Sequence, residues 1–241
     1  MLACRLSRPV PLVFVLLVGG AVPACNPDIF DVSVALTSES YPVDFGATTG
    51  NVPTFTCDPT MAGMCGSAQT VTLDNDMGQA SLALGCDATK DLCFAQADAR
   101  VLATVDVLQD DSFTSAVGRR AVSVVRMLDL AYTIPTNTTT FAIPEIDVYV
   151  GPAGTTTSSD PGVSLVDKIS PIPAGMTVVD PPRHLTVADG SPARDLIETS
   201  IRDEAPFVFV VTTTPRLEAG APLPAGRLEI DVHPLLGLGL R

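Results

Sequence analysis

The sequence predicts a mostly β protein: an antiparallel, immunoglobulin-like β-sandwich with one short helix, following a cleaved signal peptide. Three observations carry this. Apolar and polar residues alternate over many short stretches, 21 Pro and 18 Gly punctuate them, and a single segment has helical spacing. Ile29–Leu36 places Phe30, Val32, Val34 and Leu36 on one face and Asp31 and Ser33 on the other. Short strands are expected at Gln69–Leu73 and Gln79–Leu84. A longer one is expected at Ala97–Leu108, with Ala99, Val101, Ala103, Val105 and Val107 inward. Gln109–Ser115 is a polar break that Ser112 could cap into a turn of helix. Val122, Val124, Leu128, Leu130, Tyr132 and Ile134 share one parity, interrupted by Arg126. Phe141–Val150 reads as a strand in which Pro144 points to an edge or a bulge. Ala193–Asp203 is the helix, started by Ser191-Pro192, with Leu196, Ile197 and Ile201 on its apolar side. Pro206–Thr213 is continuously apolar, as a central strand would be. Arg227–His233 alternates, with Leu228, Ile230 and Val232 inward.

The 241 residues are long enough to bury a core. At 46% apolar and 17% charged, the composition excludes bulk disorder. A net charge of −13 argues against nucleic acid or an anionic membrane face as a partner. With only His184 and His233 and no Trp, most His-based catalysis, multi-His metal sites and sugar-stacking platforms are disfavoured.

The first 25 residues read as an export signal. Arg5 and Arg8 precede an uncharged run from Pro9 to Val22, too short to span a bilayer as a helix, and a small residue, Ala24, ends it. Val22-Pro23-Ala24-Cys25 resembles a bacterial lipobox, which implies cleavage before Cys25 and lipidation of that residue. The alternative is ordinary cleavage after Ala24 and plain secretion. Lipidation gives a membrane partner through the acyl chains on Cys25. Asn26, rather than Asp, implies the outer membrane by the enterobacterial sorting rule. Loss of Arg5 and Arg8 with the signal takes the charge to −15.

Four cysteines then remain, Cys57, Cys65, Cys86 and Cys93, an even number suited to disulfides in an exported chain. Three connectivities are open. The local pairs Cys57–Cys65 and Cys86–Cys93 are favoured, because each encloses a polar loop with turn residues. A zinc site would favour tighter spacing. The expected organisation is a signal peptide over 1–24, a Cys-containing β-rich region over 25–95 and a β-sandwich over 96–241.

Two wider resemblances rest on particular phrases. Leu130-Ala-Tyr-Thr-Ile, then Asn137-Thr-Thr-Thr-Phe-Ala-Ile-Pro-Glu-Ile-Asp-Val-Tyr-Val-Gly-Pro and Ile172-Pro-Ala-Gly, look like exported lipoproteins of unknown function from high-GC myxobacteria. Twelve Arg against two Lys, Lys90 and Lys168, fit GC-rich coding. The same order of strands and turns is similar to the late-embryogenesis-abundant β-sandwich module, with Thr138 where that module has Pro after Asn. These resemblances cover about half the chain and imply no catalytic residue.

Candidate chemistry is sparse. Asp74-Asn75-Asp76-Met77-Gly78 begins like a calcium loop, but Gly stands fifth and Gly85 occupies the twelfth position, so an acidic turn is expected. No Gly-x-Ser-x-Gly elbow accompanies His184 or His233. The expectation is therefore a non-catalytic, lipid-anchored envelope protein with a structural or partner-binding role, an unidentified envelope protein as partner, and no metal or cofactor. The alternatives are a secreted hydrolase using two carboxylates and a lipid- or small-ligand-binding envelope module.

Overall fold

The computed structural model describes residues 30–47, 50–52, 54, 56, 57, 71–75, 78–87 and 89–241. The export signal, Cys25, Cys65 and Asp76 lie outside them. The described residues form two antiparallel sheets, one of five strands and one of seven, stacked as a β-sandwich with two helices.

The first sheet is built on β12 (Ala225–Leu240). On one side β12 pairs with β6 (Val122–Asn137), which pairs in turn with β9 (Val178–Leu185). On the other side two strands lie end to end. β2 (Glu39–Ala47) runs along the first half of β12 and β1 (Phe30–Ala35) along the second. Leu228, Ile230, Leu236, Leu238 and Leu240 of β12 are all buried. The expected Arg227–His233 strand is thus the first half of a longer one.

The second sheet runs β3 (Val71–Asn75), β4 (Gly78–Asp87), β5 (Leu92–Val105), β10 (Phe207–Thr213), β7 (Ile146–Pro152), β8 (Ser164–Ile169). β11 (Arg216–Glu218) pairs with the first half of β5. In β5 every second residue from Cys93 to Ala103 is buried, the period of a strand with one face inward. β10 is central, as its unbroken apolar run predicts. Residue 95 falls inside β5, and strands from before it lie in both sheets.

Three expectations need correcting. β6 does not keep a single parity: Val122, Val125, Leu130 and Ile134 are all buried. Its register against β12 shifts at Ser123 and again at Arg126. Each extra residue is a bulge that turns the following side chains over, so Val125 can face inward. Phe141–Val150 is not one strand. Phe141 and Ile143 are buried ahead of β7, Ile143 bridging to Ile172, and β7 is an inner strand that begins after Pro144. Two α-helices form, not one. The strand expected over Ala97–Leu108 ends at Val105: Val107–Gln109 forms a 3₁₀ turn, the polar break carries α1 (Asp111–Val117), and the N-cap is Asp110 rather than Ser112.

The Asp110 carboxylate accepts from the Phe113 N–H at 2.9 Å and from the Thr37 N–H at 2.6 Å. It therefore caps α1 and ties the β1–β2 corner to it. α1 lies against β1 and buries Phe113 and Val117 in the common core. The second helix, α2 (Pro192–Arg202), forms where expected. The Ser191 hydroxyl caps it, Pro192 opens it, and Ala193, Ile197 and Ile201 are buried. α2 packs on β6 of one sheet and on β7 and β8 of the other, closing one side of the sandwich. Gly226 sits at a bulge in β12 with φ +103°, and a Cβ there would run into the Thr138 carbonyl.

The loop after β7 shows the local electrostatics. Asp160 accepts from the backbone N–H and the hydroxyl of both Thr156 and Thr157. The Thr157 hydroxyl, and then the two backbone N–H groups, lower its pKa from the ordinary 3.8 to about 2. A carboxyl depressed in the folded state stabilises above its unfolded pKa, and that stabilisation is lost as pH falls through the folded value. The wild-type urea midpoint is expected to fall between about pH 5 and pH 2.5 by more than that of Asp160→Asn. Equal falls would show that this loop contributes nothing.

Candidate functional site: a cavity between the sheets

The two sheets do not fill the space between them. A cavity of about 410 Å³ lies there, within the roughly 300–1,000 Å³ of ordinary ligand sites. Its walls come from the inward positions of alternating strands. The first sheet supplies Val43 and Phe45 from β2, Tyr132 from β6, and Leu228, Ile230 and Val232 from β12. The second supplies Ala99, Val101 and Ala103 from β5, Val148 from β7, and Phe209 and Val211 from β10. The small side chains of β5 leave the room that the larger residues opposite do not take up.

The rim is polar. Glu39 and Tyr41 continue the inward face of β2 toward its first end, and Thr37, Thr104, Asp106, Gln109 and Asp110 also line the site. Asp106 and Asp110 are engaged. Asp106 accepts from the Leu108 N–H at 3.1 Å and the Gln109 side-chain amide at 2.9 Å, and Asp110 caps α1. Burial alone would raise the pKa of Asp110, but the backbone N–H groups of Thr37 and Phe113 outweigh it and hold the carboxyl below its usual range. Among the described residues no Lys, Arg or His lines the cavity.

The histidines lie elsewhere. The His233 ring on β12 is shared between two hydroxyls, Ser38 Oγ at 2.7 Å from Nδ1 and Thr133 Oγ1 at 3.4 Å from Nε2. His184 Nδ1 meets Asp129 at 2.8 Å on the exposed face of β9. Among the described residues, neither histidine links a hydroxyl and a carboxylate in the order a Ser–His–Asp triad needs.

The disulfide pairing corrects the favoured local scheme. Cys57 bonds Cys86, 29 residues away, with Cα atoms 5.5 Å apart. Cys93 lies directly across the β4–β5 ladder from Cys86. Directly opposed Cβ atoms stand about 4.5–5.5 Å apart, wider than the ~3.8 Å of a disulfide. The bond forms instead to the chain crossing the hairpin end, where Cys57 Sγ lies 3.6 Å from the Leu92 carbonyl oxygen. The same end is braced by Arg216, which pairs with Asp87 and stacks 3.8 Å over the Phe94 ring. A non-reducing peptide map should yield a Cys57–Cys86 cross-linked peptide; a Cys86–Cys93 peptide would overturn the pairing. From the 29-residue loop, losing the bond should cost about 3–4 kcal/mol in urea unfolding.

Among the described residues no helix is long and apolar enough to cross a membrane. Comparison with family models, with curated proteins and with solved structures finds no match to this chain. The cavity itself was not read from the sequence. Its signal was the alternation Tyr41, Val43, Phe45 beside small inward residues on β5.

Proposed function

We propose that this chain is a non-catalytic, exported binding protein, anchored to the cell envelope through lipid on Cys25, whose sandwich carries a small apolar ligand between its sheets. The single observation that supports it is the apolar cavity of about 410 Å³ between the sheets. An empty space of that size would forfeit contacts along every wall, and an apolar guest restores them. The lipobox-like Val22-Pro23-Ala24-Cys25 supports the anchor, and the outer membrane is the proposed location. A structural role alone would not call for space in the interior.

The test is native mass spectrometry of the full protein extracted from its own envelope. The expected result is an apolar adduct that survives gentle ionisation and leaves on denaturation, with the covalent lipid mass remaining on the N-terminal peptide. A protein that arrives bare and fails to take up a small neutral apolar probe such as naphthalene would overturn the reading.

A further inference from the structure

Seven residues at the rim decide what kind of ligand head the cavity accepts, and they carry only one sign of charge. Glu39 and Tyr41 stand two apart on β2, so both point to the cavity side. Neither the Glu39 carboxylate nor the Tyr41 hydroxyl has a hydrogen-bond partner among the described residues. The other two rim carboxylates, Asp106 and Asp110, already accept from backbone N–H groups. Among the described residues no cationic side chain lines the site. Burial, and then the charge of Glu39, push the Tyr41 phenol up, so it is a neutral donor at ordinary pH.

We infer that the cavity selects an apolar chain whose head donates a hydrogen bond and carries no negative charge, an alcohol or an ammonium group, and that it rejects the carboxylate of the same length. This rests on the reading of the cavity as an apolar-ligand site. A hydroxyl head accepts from Tyr41 and donates to Glu39, satisfying both unpartnered groups at once. An ammonium head donates to Glu39 and gains its charge. A carboxylate head can accept from Tyr41 but meets Glu39 as a like charge, with no cation to offset desolvation. At about 30 Å³ per water-sized group, 410 Å³ holds about a dozen non-hydrogen atoms, the size of a ten-carbon chain and its head.

The experiment displaces naphthalene, a neutral fluorescent probe of ten carbons, from the full protein with decan-1-ol, decylammonium and decanoate, at about pH 8, where decanoate is ionised. Decanol and decylammonium are expected to compete, and decanoate to be weaker by about tenfold or more. Glu39→Gln should narrow the gap by strengthening decanoate and weakening decylammonium. Tyr41→Phe should weaken decanol by about fivefold. Decanoate competing as well as decanol, or a gap untouched by Glu39→Gln, overturns the selectivity and leaves the cavity reading intact. Failure of naphthalene and all three chains to bind overturns the cavity reading itself.

Discussion

Val101→Phe is expected to abolish uptake of apolar ligands while leaving the fold in place. Val101 is buried on the inward face of β5 and lines the cavity between Ala99 and Ala103. A benzyl group there grows into open space rather than into packed neighbours, so the usual cost of overpacking, about 1–3 kcal/mol, is largely avoided. The ring takes the volume a ligand would need, and affinity should fall about a hundredfold or more. Dye titration reads the first effect and thermal unfolding the second. A variant that still binds would mean that the ligand sits elsewhere. One that unfolds at much lower temperature would mean that the space is closed in solution.

Phe113→Ala should be among the most destabilising single changes in the chain. Its ring is 1% exposed on α1, a helix of only two turns that has little stability of its own. Truncation leaves a void and removes the contacts that hold α1 against β1, a loss of about 3–5 kcal/mol. Asp110→Ala, which removes the cap and the Thr37 bond but keeps the ring, should cost about 1–2 kcal/mol. Urea unfolding of the two variants ranks them. If Asp110→Ala proved the costlier, the corner between β1 and β2 would depend on the carboxylate more than on the buried ring.

What was legible in the sequence follows from physical locality. β1, β5 and α2 were readable because their side-chain period matches their own geometry, and α2 also carries its own start signal, Ser191-Pro192; β10 was readable because its apolar run is unbroken. The bulges in β6 were not, because parity there is set by pairing with a strand a hundred residues away. β2 escaped notice because Pro42 and Gly46 break its run, although Tyr41, Val43 and Phe45 alternate cleanly. The local disulfide scheme went wrong for a similar reason. Loop composition describes the covalent neighbourhood of Cys86, whereas its partner is decided by which chain crosses the hairpin end. The site was harder still. A cavity is space that two sheets jointly leave empty, and no single segment records it.

The position of β12 sets an order for assembly. It is the centre of its sheet and follows every strand it pairs with, and Phe30 at the start of β1 must wait for Leu240. Until those residues have been synthesised, β1 and β2 lack the strand they pair with. Such long-range closure makes for slow folding. For a chain exported as proposed here, the delay is useful: this sheet closes only after β12 has followed β1, β2 and β6.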